Sequence, residues 1–584
     1  MTEQFEVTDA ADRRLALSAT GLLAELNRAG VLTAADVHVA VRVGRLAGES
    51  DERVLLATAL AVRAVRHGSV CADLEAVTEV APELPWPASK DWVAAVAASP
   101  LLDAGVLRSE FGLLYLDRYW HQEVQLCADL EARMAQPAPG VDGEVLGAGM
   151  VRVFPGETYG EQRQASRLAS SAWTTVLTGG PGTGKTTTVA GLLALLAEQA
   201  AVVGAPSLRI ALTAPTGKAA ARLQEAVARE VARLPESDRS RLGALQAVTL
   251  HRLLGTRRDN GTRFRHHRSN RLPHDVVVVD ESSMVSLTMM TRLVEAVRPE
   301  TRLVLVGDPD QLASVEAGAV LADLVSGLAL REPSPVVRLE TTHRFGEEIG
   351  ALAEALRLGS SDTVLDVLRS GAAAVDFVET DDPAALLRSR VVEAAVEVRR
   401  YAEAGDAASA VAALDAHRLL CAHRDGPFGV QHWNRQVEHW LSEATGDPLY
   451  EPMYVGRPLL VTANDYGLGV YNGDAGVVVS TDRGNRAVIA GAQGLADFAP
   501  SRMSEVETMF ATTIHKSQGS QAAEVTVLLP PPESRLLTRE LFYTAVTRAQ
   551  QKVRVVGTEE SVRAAVERRA QRASGLRQRL SRQP

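Results

Sequence analysis

The sequence predicts an α/β protein: two parallel-sheet domains, an α-helical N-terminal domain, and a small β subdomain inserted in the second sheet domain. Three observations carry that prediction. From about residue 150, short apolar runs ending in polar residues alternate with helical patterns: TTVLT (174–178), RIALTAP (209–215), DVVVVDE (275–281) and TRLVLVGD (301–308). Continuous apolar runs of this length suit parallel strands covered on both faces, and an open sheet of that kind gathers its reactive residues at the strand C-termini. A second block repeats the alternation from about 336 to 573, through VVRLE, AVDFV, HRLLCA, EVTVLLP and KVRVVG. Inside it, residues about 452–505 carry short β-like runs (RPLLVTAN, AGVVVST, RAVIA) and Gly/Asn/Asp turns without a helical pattern, which marks the insertion.

In chain order, residues 1–125 form the N-terminal domain. Residues 12–107 read as amphipathic helices, and FGLLYLDRYWHQEVQL (111–126) as a short strand leading into a helix. Residues 126–150, with the Pro- and Gly-rich AQPAPGVDGEVLGAG, read as a linker. The first sheet domain spans 151–335. It contains a basic stretch at about 256–272 in which Asn260-Gly261 is a two-residue hairpin signal. The second spans 336–584 and ends in a basic helix and tail.

Composition narrows the class. The chain has 584 residues, room for several domains. Its net charge of −10 provides no global positive field, so nucleic-acid binding would rest on local basic patches. Cys71, Cys127 and Cys421 are too far apart in sequence for a C-x-x-C metal pair or a disulfide framework. The polar N-terminus and the absence of a long apolar run predict a cytoplasmic protein without a membrane span.

The strongest local signal is GGPGTGKTTT (179–188), which fits G-x-x-x-x-G-K-[ST] between a strand and a helix. Backbone amides of such a loop wrap phosphates, and the helix N-terminus favours negative charge. Lys185 would neutralise the β/γ-phosphates and Thr186 would ligate Mg²⁺. Asp280 and Glu281 end the run VVVVDE, where one carboxylate can hold Mg²⁺ and the next can polarise water; the plainer alternative is an acidic helix start. Gln311, in GDPDQL (307–312), can sense a γ-phosphate, or the segment is simply a β-turn. Lysine occurs only at Lys90, Lys185, Lys218, Lys516 and Lys552, and three of these fall in motifs.

In order, the chain shows EQRQA (161–165), GGPGTGKTTT, LTAPTGKAAARL (212–223), TLHRLLG (249–255), VVVDESSM (277–284), LVGDPDQLASVEAGAVL (305–321), THRF (342–345), LLCAHRDGPFGV (419–430), NDYGLGVYNGD (464–474), TTIHKSQGS (512–520) and LFYTAVTRA (541–549). Over about 150–573 this series resembles superfamily-one helicases, and in detail the RecD family, the alpha subunit of exodeoxyribonuclease V. The resemblance implies RecA-like motor domains, an SH3-like inserted subdomain, ATP and Mg²⁺ as cofactors, and 5′→3′ movement on single-stranded DNA. It implies RecB and RecC as partners, with the N-terminal domain docked on RecC, and work on double-stranded DNA ends in break repair and recombination.

The resemblance also implies residue roles. Gln162 matches the adenine-reading glutamine. Gly179, Gly180, Pro181, Gly182, Thr183, Gly184, Lys185, Thr186, Thr187 and Gly519 match the nucleotide-binding residues, with Thr186 and Asp280 on the metal. Lys185, Asp280, Glu281 and Gln311 match the ATPase residues, and Arg344 and Arg548 match arginines pointed at the γ-phosphate from the second domain. A planar guanidinium arriving from the opposite domain stabilises phosphoryl charge only when the cleft closes. Gln521 stands where the family typically carries Glu.

The same resemblance places Thr213, Pro215, Thr216, Lys218, His251, Asn464, His515 and Lys516 on a single-strand track. Such hydroxyl, imidazole and ammonium groups hold phosphates without reading sequence. His251 alone reads equally as a core histidine, the basic hairpin as a solvated loop, and the C-terminal arginines as a solvated helix. No lysine has an acid two positions before it, so the E-x-K or D-x-K tripeptide of many DNA nucleases is missing; nuclease activity would belong to a partner. The rival readings are a subunit that binds ATP without moving, and a free-standing helicase.

Overall fold

Val276, Val277, Val278 and Val279 have no exposed surface, and their strand lies near the middle of a six-stranded sheet in the computed structural model. Each valine removed from water contributes roughly 1.5–3 kcal/mol. The structure describes residues 12–257, 260–341, 347–465, 467–491 and 494–582. The strand order is Val336–Leu339, Thr174–Gly179, Arg302–Gly307, Val276–Val279, Ile210–Ala214, Ala247–Thr249, all parallel. The helix Lys185–Val202 is apolar on nearly every side because it lies between this sheet and the helices Gly143–Val153, Gly160–Ser170 and Glu236–Leu242.

A second parallel sheet has the order Val375–Glu379, Ala549–Gly557, Ala522–Leu528, His417–Cys421, Ala511–Thr513. The insertion is a five-stranded antiparallel sheet in the order Gly494–Phe498, Arg486–Gly491, Ala475–Val479, Pro458–Val461, Val506–Thr508. Its Val477 and Val479 share a core with Val398, Ala402 and Ala410 of the second lobe.

Several boundaries differ from expectation. VVRLE was assigned to the second block, but Val336–Leu339 is an edge strand of the first sheet, paired with Thr174–Gly179. An apolar run does not encode its partner. The 126–150 linker shrinks to 135–142: the helix Asp117–Met134 buries Leu126 and Leu130, and the helix Gly143–Val153 starts on an Asp142 cap. The glycines there read as loop, yet a Cβ on Gly149 would fall 2.7 Å from Leu195, so close helix packing requires the missing side chain. The N-terminal helices, centred on Leu26, Leu56, Leu60 and Trp92, are joined by a three-stranded sheet, Cys71–Asp73, Leu113–Leu116 and Leu107–Glu110. In the hairpin Thr256–Arg257/Asn260–Phe264, Asn260 pairs with Arg257, so Asn260-Gly261 stands on the second strand and is not the turn.

The C-terminal segment also departs from the solvated helix. After the helix Glu559–Glu567 the chain crosses to the first lobe and ends in a helix, Leu576–Ser581, with Leu576 and Leu580 buried. That helix packs against Val320–Leu328 and Asp117–Met134. Arg579 pairs with the buried Glu123 at 3.1 Å and with Glu110 at 2.7 Å. On the way, Arg572 Nη1 donates to the carbonyls of Ser314, Glu316 (3.0 Å) and Gly318 (3.3 Å).

Candidate functional site

A cavity of about 850 Å³ opens between the two lobes. The first lobe contributes Gln162, Pro181, Gly182, Gly184, Lys185, Thr186, Thr187, Asp280, Glu281, Asp308 and Gln311, all at or beyond strand C-termini except Gln162. The second contributes Gly519, Gln521, Arg548 and Gln550. Gly179, Gly180 and Thr183 lie outside that lining. A Cβ on Gly179 would come within 2.8 Å of the Leu339 carbonyl, and Thr183 Oγ1 donates to Gly180 O at 2.9 Å. Gly182 and Gly184 both have φ of +84°, the left-handed region that lets the loop curl before the helix.

Lys185 Nζ folds back onto the loop, donating to Gly179 O (2.6 Å) and Gly180 O (2.8 Å). Burial and then the Glu281 charge push the Asp280 carboxyl up to about 6, while Lys185 opposes the shift. A divalent cation there would reverse that balance. Glu281 adopts φ 50°, ψ 41°. A non-glycine residue in that region costs about 1–3 kcal/mol, and such strain clusters at working sites. Gln162 is buried; its Nε2 donates to Thr183 O at 3.3 Å and its Oε1 has no hydrogen-bond partner among the described residues. An orphaned acceptor beside a phosphate loop fits a base with an exocyclic amine.

GDPDQL is a turn, and it also joins the two lobes. Asp308 is buried and accepts from Gln311 Nε2 (2.9 Å), Tyr543 Oη (3.0 Å) and the Asp310 amide (3.1 Å). That fixes the Gln311 amide so that its Oε1 accepts from Arg548 Nη2 at 2.8 Å. Arg548 Nε donates in turn to Thr544 O at 3.0 Å. Burial lowers the affinity of Arg548 for its proton, and the charges of Glu281 and Asp308 restore part of it. Two further contacts cross the cleft: Gln518 Nε2 to Leu312 O (2.7 Å) and the Leu312 amide to Thr544 Oγ1 (2.9 Å). Gly519 has φ +67°, a Cβ on it would fall 3.5 Å from Ala219, and Gln521 Oε1 accepts from Gln550 Nε2 at 3.1 Å. Arg344 lies outside the described residues. Sequence reasoning passed over Asp308, Tyr543 and Thr544, although the last two precede Arg548 within one helical turn or so of YTAVTRA.

The eight track residues differ in exposure. Thr213 is buried and its hydroxyl donates to Val248 O at 2.9 Å, which corrects its placement on a phosphate track: the strand interior consumes the group. Pro215 is half-buried, and Thr216 caps the helix Gly217–Arg233 by accepting from the Ala219 amide. Burial, then Arg418 and Arg222, push the Lys218 ammonium down to about 7. Next to it, Gly217 faces Tyr471 of the insertion. His251 is exposed, its ring centroid 5.9 Å from that of Phe264 in an edge-on arrangement, so the core alternative falls. Asn464 is exposed and its Oδ1 accepts from the Asn472 amide at 2.9 Å. Lys516 is exposed and pairs with Glu507 at 2.9 Å; His515 is half-buried, and burial with Arg572 nearby lowers its pKa.

Comparison with known proteins follows the same division. A family model described as the N-terminal domain of RecBCD enzyme subunit RecD matches residues 28–110, an AAA domain model matches 162–317, and a UvrD-like helicase C-terminal domain model matches 508–556. The RecBCD enzyme subunit RecD of Mycobacterium tuberculosis is 62% identical over 97% of this chain and 98% of its own length. The subunit of the same name from Haemophilus influenzae is 31% identical over 82% of both chains. The ATP-dependent RecD2 DNA helicase of Deinococcus radiodurans is 29% identical over 82% of this chain and 60% of its own. Among solved structures, Bacteroides Pif1 bound to single-stranded DNA overlaps 68% of this chain and 92% of that one at 17% identity and a TM-score of 0.37.

Proposed function

The chain belongs to the family of RecD subunits of the RecBCD enzyme, and from that premise we propose that it is an ATP-driven DNA motor, moving 5′→3′ on single strands within a helicase–nuclease complex. Its partners would be RecB- and RecC-type subunits, its substrate duplex DNA ends undergoing repair and recombination, and its compartment the cytoplasm. The nuclease chemistry belongs to a partner. Among the described residues no helix is long and apolar enough to cross a membrane.

The observation that carries the motor reading is the buried Gln311–Arg548 hydrogen bond, which joins a residue beside the phosphate loop to one on the opposite lobe. A group there that senses a terminal phosphate necessarily senses the separation of the lobes. Lys185 would leave the Gly179 and Gly180 carbonyls to neutralise phosphate charge. Thr186 and Asp280 would hold Mg²⁺, which when bound neutralises phosphate charge and orients it for in-line attack. Glu281 would accept a proton from, or orient, the attacking water. Gln162 Oε1 would accept from the adenine amine. Arg548, with Arg344 as the second expected arginine, would stabilise the spread phosphoryl charge.

For the strand, Thr216, Lys218, His251, Asn464, His515 and Lys516 are the proposed contacts, with Lys218 regaining its proton affinity beside a phosphate. The basic hairpin, with Arg263, Arg265 and Arg268 exposed, would meet the duplex ahead of the motor. The test is direct. The chain, alone and with its partner subunits, should show ATP turnover stimulated by single-stranded DNA and lost in Lys185→Ala, with displacement of end-bound blocks only on strands entered 5′ first. ATP binding without stimulated turnover would leave a structural subunit instead.

A further inference from the structure

The helix Gly217–Arg233 lays one face along the cavity, and Ala219, Arg222 and Ala226 follow that face at helical spacing. Arg222 lies between the two alanines on that face, half-buried. Arg222 closes no hydrogen bond or ion pair among the described residues, although Glu281 and Asp415 attract it and Arg418 and Arg548 repel it. Burial pushes its pKa down to about 10, so it is partly desolvated without a partner. Such a charge is costly unless a second state supplies the missing bonds.

Glu281 presents the complementary situation. It lines the same cavity, its backbone is held in the left-handed region, and its carboxylate also makes no hydrogen bond among the described residues. Arg548 feels the Glu281 charge too, but its nitrogens are engaged with Gln311, Thr544 and Ser520. Arg222 thus lines this cavity with donors to spare and feels the charge of an acid that has no partner of its own among the described residues.

Resting on the ATPase reading above, we propose that Arg222 is a positioning residue for that reaction, which grips the Glu281 carboxylate when the lobes close and fixes it toward the attacking water. In the state described Arg222 bonds to neither acid but feels the charges of both Asp415, on the second lobe, and Glu281, so lobe movement decides whether the acid is aimed. The planar fork suits a carboxylate in a way a lysine does not.

The experiment compares wild type, Arg222→Ala, Arg222→Lys and Glu281→Gln, and the double variant Arg222→Ala/Glu281→Gln, by single-turnover and steady-state ATP hydrolysis on single-stranded DNA. Arg222→Ala should lower kcat by about 10- to 100-fold, the scale of a misplaced catalytic group. KM for ATP and the affinity for a non-hydrolysable analogue should stay within about twofold. Arg222→Lys should fall between the two. Adding Arg222→Ala to Glu281→Gln should cost nothing more, because the effect runs through the acid. An unchanged kcat, a loss confined to KM, or multiplying losses in the double variant would overturn the proposal. Should Arg222→Ala fail to fold by thermal unfolding, Arg222→Lys and Arg222→Gln carry the same comparison. A wild-type chain without DNA-stimulated turnover would sink the ATPase reading itself and is told apart in the first lane.

Discussion

Arg548 donates to Gln311 across 2.8 Å, and the two residues stand 237 positions apart on opposite lobes. Both are buried, so the bond is shielded from water and its loss is felt. Arg548→Ala should reduce DNA-stimulated turnover by about 10³- to 10⁵-fold, the range for arginines that stabilise transferring phosphoryl charge. In thermal or urea unfolding, a cycle of Gln311→Ala, Arg548→Ala and the pair should give a coupling of about 0.5–3 kcal/mol. Strict additivity would mean the contact transmits nothing between the lobes.

The unpartnered Gln162 Oε1 gives a specificity prediction. An acceptor facing the base rewards an amine and repels the carbonyl that guanine carries there. Gln162→Ala should cut the preference for ATP over GTP about tenfold, equivalent to about 1.4 kcal/mol. Competition between the two nucleotides in the turnover assay measures it, and an unchanged ratio would remove base reading from this residue.

Much of the site was written locally. The phosphate loop, Asp280-Glu281 and the arginine of YTAVTRA are short stretches whose chemistry needs only their neighbours. What the sequence hid is pairing at a distance. Nothing near Val336 says which sheet it joins. Asp308 reads as a turn residue until Tyr543, 235 positions later, donates to it. Gly149 reads as loop because its purpose lies on another helix. Arg222 sits in AAAR, where helix propensity is the only visible message. Thr213 misled in the opposite direction: the right residue type in the right motif, with its hydroxyl already used inside the sheet.

His417 sets a pH dependence. It is buried against Thr526 at 2.9 Å, and burial followed by the Arg390 charge pushes it down to about 4 from an ordinary 6.5. The folded chain therefore binds fewer protons at this site than the unfolded chain between about pH 4 and 6.5. The stability it permits is complete above 6.5 and falls as pH drops toward 4, by up to about 1.4 kcal/mol per pH unit. Urea midpoints at pH 7.5 and 5 should fall further in wild type than in His417→Gln; parallel losses would assign the acid sensitivity elsewhere.

The C-terminal helix should matter out of proportion to its length. Leu580→Ala should destabilise the first lobe by about 2–5 kcal/mol, as for other fully buried leucines. Arg579→Ala leaves Glu123 buried with one cation fewer, and should cost about 3–5 kcal/mol. Calorimetry on both variants checks the pair. A chain ended after residue 568 should melt at a lower temperature and unfold its first lobe less cooperatively; retention of the full melting temperature would show that the helix is only resting on the surface.

That helix also sets a schedule for biogenesis. The face of Val320–Leu328 that receives Leu576 and Leu580 leaves the ribosome some 250 residues before its cover is made. At about 5–20 residues per second, the greasy surface waits roughly 10 to 50 s in the cell, long enough for holdase chaperones to compete for it. Residues 576–581 thus complete a lobe whose sheet was translated long before them, and a nascent chain stalled between the two would be a client for quality control even with its catalytic sequence already finished.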